Sequence, residues 1–167
     1  DKKRHLRITS ESHPGRKRSN NEDRFAVDER LGIIILADGM GGHLSGEVAS
    51  EIATRSLMSK LRLLSTSASS KGESSSRLIE GIKVAITETN FSIYQAASNN
   101  AEHKGMGTTV VAIMLNGSSI HVGHVGDSRL YCFRRDKMTR LTTDHSLVQD
   151  LVDRGLYTEE QARSASV

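Results

Sequence analysis

The chain reads as an α+β domain, on three observations. Short apolar strands come first, two long amphipathic helices follow, and a run of strands comes after them. That order lacks the strict strand–helix alternation of a doubly wound sheet and favours a sheet packed against segregated helices. The length of 167 residues suits a single domain over 1–167 with a core of its own. Apolar residues at 36% and charged residues at 26% mark a soluble globular chain rather than a disordered one.

Each element has its own signal. Leu6 to Ser10 reads as a first short strand. Phe25 to Asp28 and Leu31 to Ala37 read as a hairpin turning near Asp28-Glu29-Arg30. The continuous apolar run Leu31 to Ala37 predicts a strand buried on both faces. Ser45 is a candidate N-cap for a helix in which Ala49, Ile52, Ala53, Leu57, Leu61 and Leu64 recur at helical spacing. The serine-rich stretch 65–76 reads as a flexible surface loop. Arg77 to Ala97 predicts a second helix with Ile79, Ile82, Ile86 and Ile93 on its buried side. Thr108 to Leu115 and Ser119 to Val125 flank the hairpin signal Asn116-Gly117. Arg129 to Arg134 and Met138 to Leu141 form a further pair about Arg135-Asp136-Lys137. Ser146 to Arg154 reads as a short helix stopped by Gly155, and Thr158 to Ala162 as the start of another.

Several classes of function fall away. No apolar run approaches the roughly 20 residues that span a bilayer, so no membrane role is expected. Aromatic residues are only 4% and form no stacking platform, which argues against nucleic acid. A lone Cys132 allows no intrachain disulfide and suits a reducing, cytoplasmic setting, where a buried, inert thiol is expected. The net charge is +3, with Lys2, Lys3, Arg4, Arg7, Arg16, Lys17 and Arg18 gathered near the start. They read either as a solvated tail or as a basic rim attracting anionic substrates. With Asp1 rather than Met as the first residue, the expectation is a start that is either trimmed or an artificial boundary, where targeting information can be lost.

The strongest chemical signal is Ala37-Asp38-Gly39-Met40-Gly41-Gly42-His43, which delivers one carboxylate into a glycine-rich turn. Upstream, Asn20-Asn21-Glu22-Asp23 places two more acids before a strand, and Gly126-Asp127-Ser128 places another after one. Carboxylates at strand ends, set off by glycine, suggest an oxygen-ligand site for hard divalent cations.

Together with Arg18-Ser19, Gly105-Met106-Gly107-Thr108-Thr109, Gly123-His124-Val125-Gly126-Asp127-Ser128-Arg129 and Leu141-Thr142-Thr143-Asp144-His145-Ser146, these motifs resemble the metal-dependent protein phosphatases of type 2C, the bacterial kind most closely. The resemblance implies a layered sandwich of two mainly antiparallel β-sheets flanked by helices. It implies hydrolysis of phosphoserine and phosphothreonine in proteins through a metal-activated water, with two Mn²⁺ or Mg²⁺ ions and room for a third. Asp38 would bridge the two ions, Asp23 would bind one, Glu22 would hold metal-bound water and Gly39 would lend its carbonyl. Asp127 would belong to the third ion, and Arg18 would grip the substrate phosphate with its guanidinium fork. Phosphate transfer to water needs cancellation of phosphoryl charge, which two ions roughly 3.5–4 Å apart provide. His43 stays open between a general-acid role and a polar role near the helix start, because Met40 takes the place of the histidine that some members carry directly after Asp-Gly. His145 would order the Asp144 loop.

The sequence departs from the family pattern in one region. Two further metal-binding aspartates, in Ser-Asp-Gly and Asp-Asn stretches, are absent, and Arg163 to Val167 replaces a common His-Pro run. The resemblance therefore implies a fragment or a short variant that lacks the C-terminal part of the domain. An alternative to the enzyme is a catalytically weak phosphatase-like module that binds or regulates a phosphoprotein or a Ser/Thr kinase. Missing strands would also leave open edges, predicting dimerisation or strand exchange. A nucleotide-binding loop is disfavoured, since the glycines lack the dinucleotide spacing and the P-loop lysine.

Overall fold

The computed structural model describes residues 6–41, 45–69, 75–158 and 160–161. The elements are β1 (Asp23–Asp28), β2 (Ile33–Met40), α1 (Ser45–Ser69), α2 (Ser75–Asn99), a 3₁₀ turn (Ala101–His103), β3 (Gly107–Thr108), β4 (Val110–Asn116), β5 (Ser119–Val125), β6 (Tyr131–Arg134), β7 (Lys137–Arg140) and α3 (Leu147–Asp153). The main sheet is five-stranded and runs β1-β2-β4-β5, with β3 paired to the end of β2. Every pairing is antiparallel, and β6 with β7 forms a second, two-stranded sheet. The expected α+β arrangement of antiparallel sheets and helices is thus present.

The turns follow from local chemistry. At the first hairpin, Leu31 N–H donates to Asp28 Oδ1 at 3.2 Å, and Gly32 takes φ +65°. Gly117 takes φ +57° between β4 and β5. Arg135 and Asp136, at φ 52° and 58°, close the β6–β7 hairpin, and positive φ at both central residues is what a two-residue turn matching strand twist requires.

Helices α1 and α2 pack together on one face of the main sheet. Ile33, Ile35 and Ala37 of β2 meet Ala49, Ala53, Leu57 and Leu61 of α1 in a fully buried core. Between the helices, Ser56 Oγ and Thr89 Oγ1 share a hydrogen bond of 3.0 Å, which satisfies both hydroxyls inside the contact. Gly123 of β5 lies under Ile82 and Ile86 of α2, where a Cβ would come within 2.5 Å of Ile82 Cγ2.

Several expectations change. β2 is not buried on both faces: its burial alternates, and Leu36 is 40% exposed, because among the described residues the long helices α1 and α2 cover one side of the sheet. Residues 6–10 form no strand; they have no ladder partner among the described residues and are mostly exposed. Ile79 is 56% exposed, and Leu78 takes the buried position instead. Leu78, Ile82, Ala85, Thr89 and Ile93 form the inward stripe, one residue out of phase with Ile79. Cys132 is only partly buried, since the β6–β7 hairpin lies outside the core.

The serine-rich stretch is helical over 65–69 and again over 75–76. Thr66 Oγ1 donates to the Arg62 carbonyl at 3.1 Å, and Ser67 Oγ to that of Leu64 at 2.9 Å. Hydroxyls that bond back onto the preceding turn let the helix continue through a polar sequence. Ser45 is the first helical residue rather than the cap, because its Oγ donates to the Glu102 carbonyl at 2.7 Å. At α3 the expected cap holds: Ser146 Oγ accepts from Gln149 N–H, and Gly155 follows with φ +71°. Thr158 Oγ1 accepts from Gln161 N–H at 3.1 Å, as a capping threonine does.

Candidate active site

Asp38 lies inside β2 and not in a turn beyond it. The strand runs on to Met40 because β3 pairs with it, Gly39 opposite Thr108 and Met40 opposite Gly107. On the other side, the β1–β2 register sets Asp23 directly opposite Asp38. Two carboxylates that are distant in sequence are thereby neighbours on one hairpin.

The segment before β1 is fixed by its own polar groups. Asn21 Oδ1 accepts from Asp23 N–H at 3.0 Å, and Asn21 Nδ2 donates to Ser12 Oγ at 2.6 Å. Arg24 donates to the carbonyls of Asn21 and Asp23 at 3.1 and 2.9 Å and pairs with Glu47 in the first turn of α1. The Glu22 carbonyl accepts from Gly39 N–H at 3.2 Å and from Ser50 Oγ at 2.6 Å. Glu22 is thus tied to both β2 and α1.

Gly39 and Gly46 allow this close assembly. A Cβ on Gly39 would lie 2.1 Å from the Gly46 carbonyl oxygen, and one on Gly46 would lie 2.8 Å from Glu22 Cδ. The need at Gly39 is absence of volume, not a turn conformation.

The result is an open cleft of about 820 Å³ lined by Arg18, Ser19, Asn20, Glu22, Asp38, Gly39, Met40, Gly41, Thr109 and Asp127. Arg18, Glu22, Asp38, Gly39 and Asp127 of the expected site residues share it, and Asp23 borders it beside Asp38. Burial pushes the Asp38 carboxyl above the ordinary carboxylate range, the adjacent Asp23 pushes it the same way, Arg18 opposes them and Asp127 adds a further upward push. A carboxylate so placed beside another is relieved by a cation. Oxygen donors of this kind match the hard ions Mn²⁺ and Mg²⁺, which keep several waters as ligands. Among the described residues, no group of three or more His, Cys, Asp or Glu stands close enough to hold a metal ion alone. His43 lies outside the described residues.

Asp127 sits on a loop braced from behind. His145 N–H donates to the Gly126 carbonyl at 3.0 Å, and the rings of His124 and His145 lie 4.7 Å apart. Arg129 forks onto both oxygens of Asp144, with contacts of 2.7 to 3.1 Å, and lowers that carboxyl from its usual range. His145 therefore bridges the Asp144 and Asp127 loops. Two polar residues at the site had no role assigned from sequence: Asn21, beside the cleft, whose Asn-x-Asp spacing is the signal of a local turn, and Thr109 of the cleft lining, whose partner lies 71 residues away and leaves no local signal.

The sequence profile of the protein phosphatase 2C family matches residues 11–160, and the chain belongs to that family. It is 36% identical over 159 residues to the serine/threonine protein phosphatase PstP of Mycobacterium tuberculosis, covering 95% of this chain and 29% of that protein. It is 40% identical over 151 residues to the serine/threonine phosphatase stp of Listeria innocua, covering 89% of this chain and 58% of that one. The catalytic domain of PstP in complex with two manganese ions superposes with a TM-score of 0.72 at 36% identity, over 91% of this chain and 61% of that one. The chain thus spans less than two thirds of the length of these relatives. No described helix is long and apolar enough to cross a membrane.

Proposed function

We propose that the protein carrying this chain hydrolyses phosphoserine and phosphothreonine in proteins, using Mn²⁺ or Mg²⁺. The observation that carries the reading is the cleft that sets the Arg18 guanidinium beside the Asp23–Asp38 pair, with Glu22 and Asp127 on its walls. Ions held there supply Lewis acidity for activating water and neutralising phosphoryl charge. Asp38, Asp23 and the Gly39 carbonyl would hold them directly, Glu22 would hold their bound water, and Asp127 would serve a third, weaker position. Arg18 binds the substrate phosphate as a bidentate donor and fixes its orientation towards the carboxylates.

The named relatives are serine/threonine phosphatases of bacteria; a signalling role in the cytoplasm, opposite a Ser/Thr kinase or its target, is part of the same proposal. For the chain by itself, exposed Phe25, Leu36 and Ile120 on the main sheet favour dimerisation or strand exchange, which sedimentation at micromolar concentration would test.

One observation favours a second reading, a catalytically weak phosphoprotein-binding module: the lack, among the described residues, of a closed cluster of three metal-binding side chains. Mn²⁺-dependent hydrolysis of p-nitrophenyl phosphate separates the two. Turnover by the full-length protein that disappears with chelator supports the enzyme. Phosphopeptide binding without turnover supports the module.

A further inference from the structure

Where β2 meets β4, the ladder contains a substitution. The pairings Leu36 with Val111 and Gly39 with Thr108 put Asp38 opposite Thr109. Antiparallel residues so paired ordinarily exchange two backbone hydrogen bonds. Here only one is of that kind: Thr109 N–H donates to the Asp38 carbonyl at 2.9 Å. Asp38 N–H donates instead to the Thr109 side-chain Oγ1 at 3.1 Å. The displaced Thr109 carbonyl accepts from Thr108 Oγ1 at 2.9 Å, so nothing is left unsatisfied.

The same Thr109 hydroxyl continues outward. It shares a hydrogen bond of 2.7 Å with Ser128 Oγ, the neighbour of Asp127. Its methyl packs where a Gly126 side chain would begin: a Cβ there would fall 2.7 Å from Thr109 Cγ2, and Gly126 holds φ +100°. Thr109 is buried, so the hydroxyl works with little competition from water. A single side chain therefore fastens the main chain of Asp38 on one side and the turn carrying Asp127 on the other.

We infer that Thr109 is a positioning residue that sets the spacing between the Asp38 and Asp127 carboxylates, its hydroxyl linking the Asp38 main chain to the side chain of Ser128 next to Asp127 and its methyl seating the Gly126 turn. The inference rests on the reading of these carboxylates as metal ligands. Residues that orient such ligands without touching the metal typically change affinity by about 10–100-fold when altered.

The test uses the full-length protein and Mn²⁺ itself. Thr109→Val keeps the branched shape and removes the hydroxyl, whereas Thr109→Ser keeps the hydroxyl and removes the methyl. Mn²⁺ affinity is measured by calorimetry, with far-ultraviolet dichroism to verify folding and p-nitrophenyl phosphate hydrolysis as a second readout. Thr109→Val is expected to weaken Mn²⁺ binding about tenfold or more and Thr109→Ser less than about threefold. The Mn²⁺-saturated KM should stay near wild type in both. Ser128→Ala added to Thr109→Val should cost much less than Ser128→Ala alone, as for members of one hydrogen-bonded chain. Folded Thr109→Val with wild-type Mn²⁺ affinity overturns the inference. So does a Thr109→Ser defect as large as that of Thr109→Val, which would make the residue a packing element only. If Thr109→Val does not fold, the comparison of Thr109→Ser with Ser128→Ala decides: affinity kept in the first and weakened in the second supports the link, and the reverse refutes it. Wild-type protein that takes up no Mn²⁺ overturns the metal reading and this inference with it. Normal wild-type binding with unaltered variants overturns the inference alone.

Discussion

Replacing Asp38 by Asn should stabilise the metal-free protein and destabilise it relative to wild type once Mn²⁺ is present. In the β1–β2 ladder Asp38 directly faces Asp23, and like charges across a strand pair cost roughly 0.2–1 kcal/mol. Burial raises the Asp38 carboxyl further, while Arg18 offsets part of the repulsion. Asp38 is desolvated by its neighbours yet still exposed on the cleft, so screening keeps the gain from neutralising it at no more than about 1 kcal/mol. For a chain of this length that corresponds to about 2–4 °C in Tm. The sign with pH follows from the upward shift. The folded state holds this proton more tightly than the unfolded state does. Stability from this group is therefore full below pH 3.8 and is lost as pH rises from there through the raised folded value. The advantage of Asp38→Asn should accordingly be present at pH 7 and vanish in acid. Added Mn²⁺ reverses the order, since ligand at a hundred times its Kd adds about 2.7 kcal/mol to the protein that binds it. Differential scanning calorimetry of both proteins in chelator and in Mn²⁺ reads all four states. An Asp38→Asn protein that melts below wild type in chelator, or gains as much from Mn²⁺, would refute the assignment of Asp38 as a strained carboxylate awaiting a cation.

Gly39→Ala should be among the most damaging substitutions in the chain. Its Cβ meets the Gly46 backbone at 2.1 Å, so denaturant midpoints should fall by the equivalent of about 3 kcal/mol or more. Arg18→Ala should raise KM for phosphopeptides about tenfold or more, through loss of its charge-assisted bidentate contact, with kcat nearly unchanged under saturating Mn²⁺. Calorimetry should show its Mn²⁺ affinity no weaker than wild type, because a cation is removed from beside the ions. Asp144→Asn should cost about 1 kcal/mol at pH 7, discounted for the half-exposed Arg129. The Arg129 fork lowers the Asp144 carboxyl, so its contribution is present above pH 3.8 and lost as pH falls through the folded value; urea titrations of both proteins should converge in acid.

The hairpins and the acidic residues of the cleft were legible because their signals are local. Asn116-Gly117 and the β-branched runs on either side specify β4 and β5 within a few residues. The α2 stripe was legible in period and not in phase: Ile79 and Leu78 are both apolar, and only packing against the sheet and α1 selects the second. The extension of α1 through Thr66 and Ser67 was hidden because the same hydroxyls that favour loops can return their bonds to the helix. Leu6 to Ser10 shows the converse, a strand-like sequence with no described partner.

What sequence could not supply was the reason the glycines around Asp38 are there. A glycine after an acid reads as a turn, yet Gly39 sits within a ladder and is paired on β3. Its missing side chain lets the start of α1 approach until Gly46 touches the strand, and Glu22 is held over that contact. The strand carrying Asp38 is therefore held on three sides: by β1 through Asp23, by α1 through the Gly39–Gly46 approach, and by Thr109 between β3 and β4. On the proposed metal reading, a site held this way would meet a cation with these ligands already placed, and binding would lose little to reorganisation.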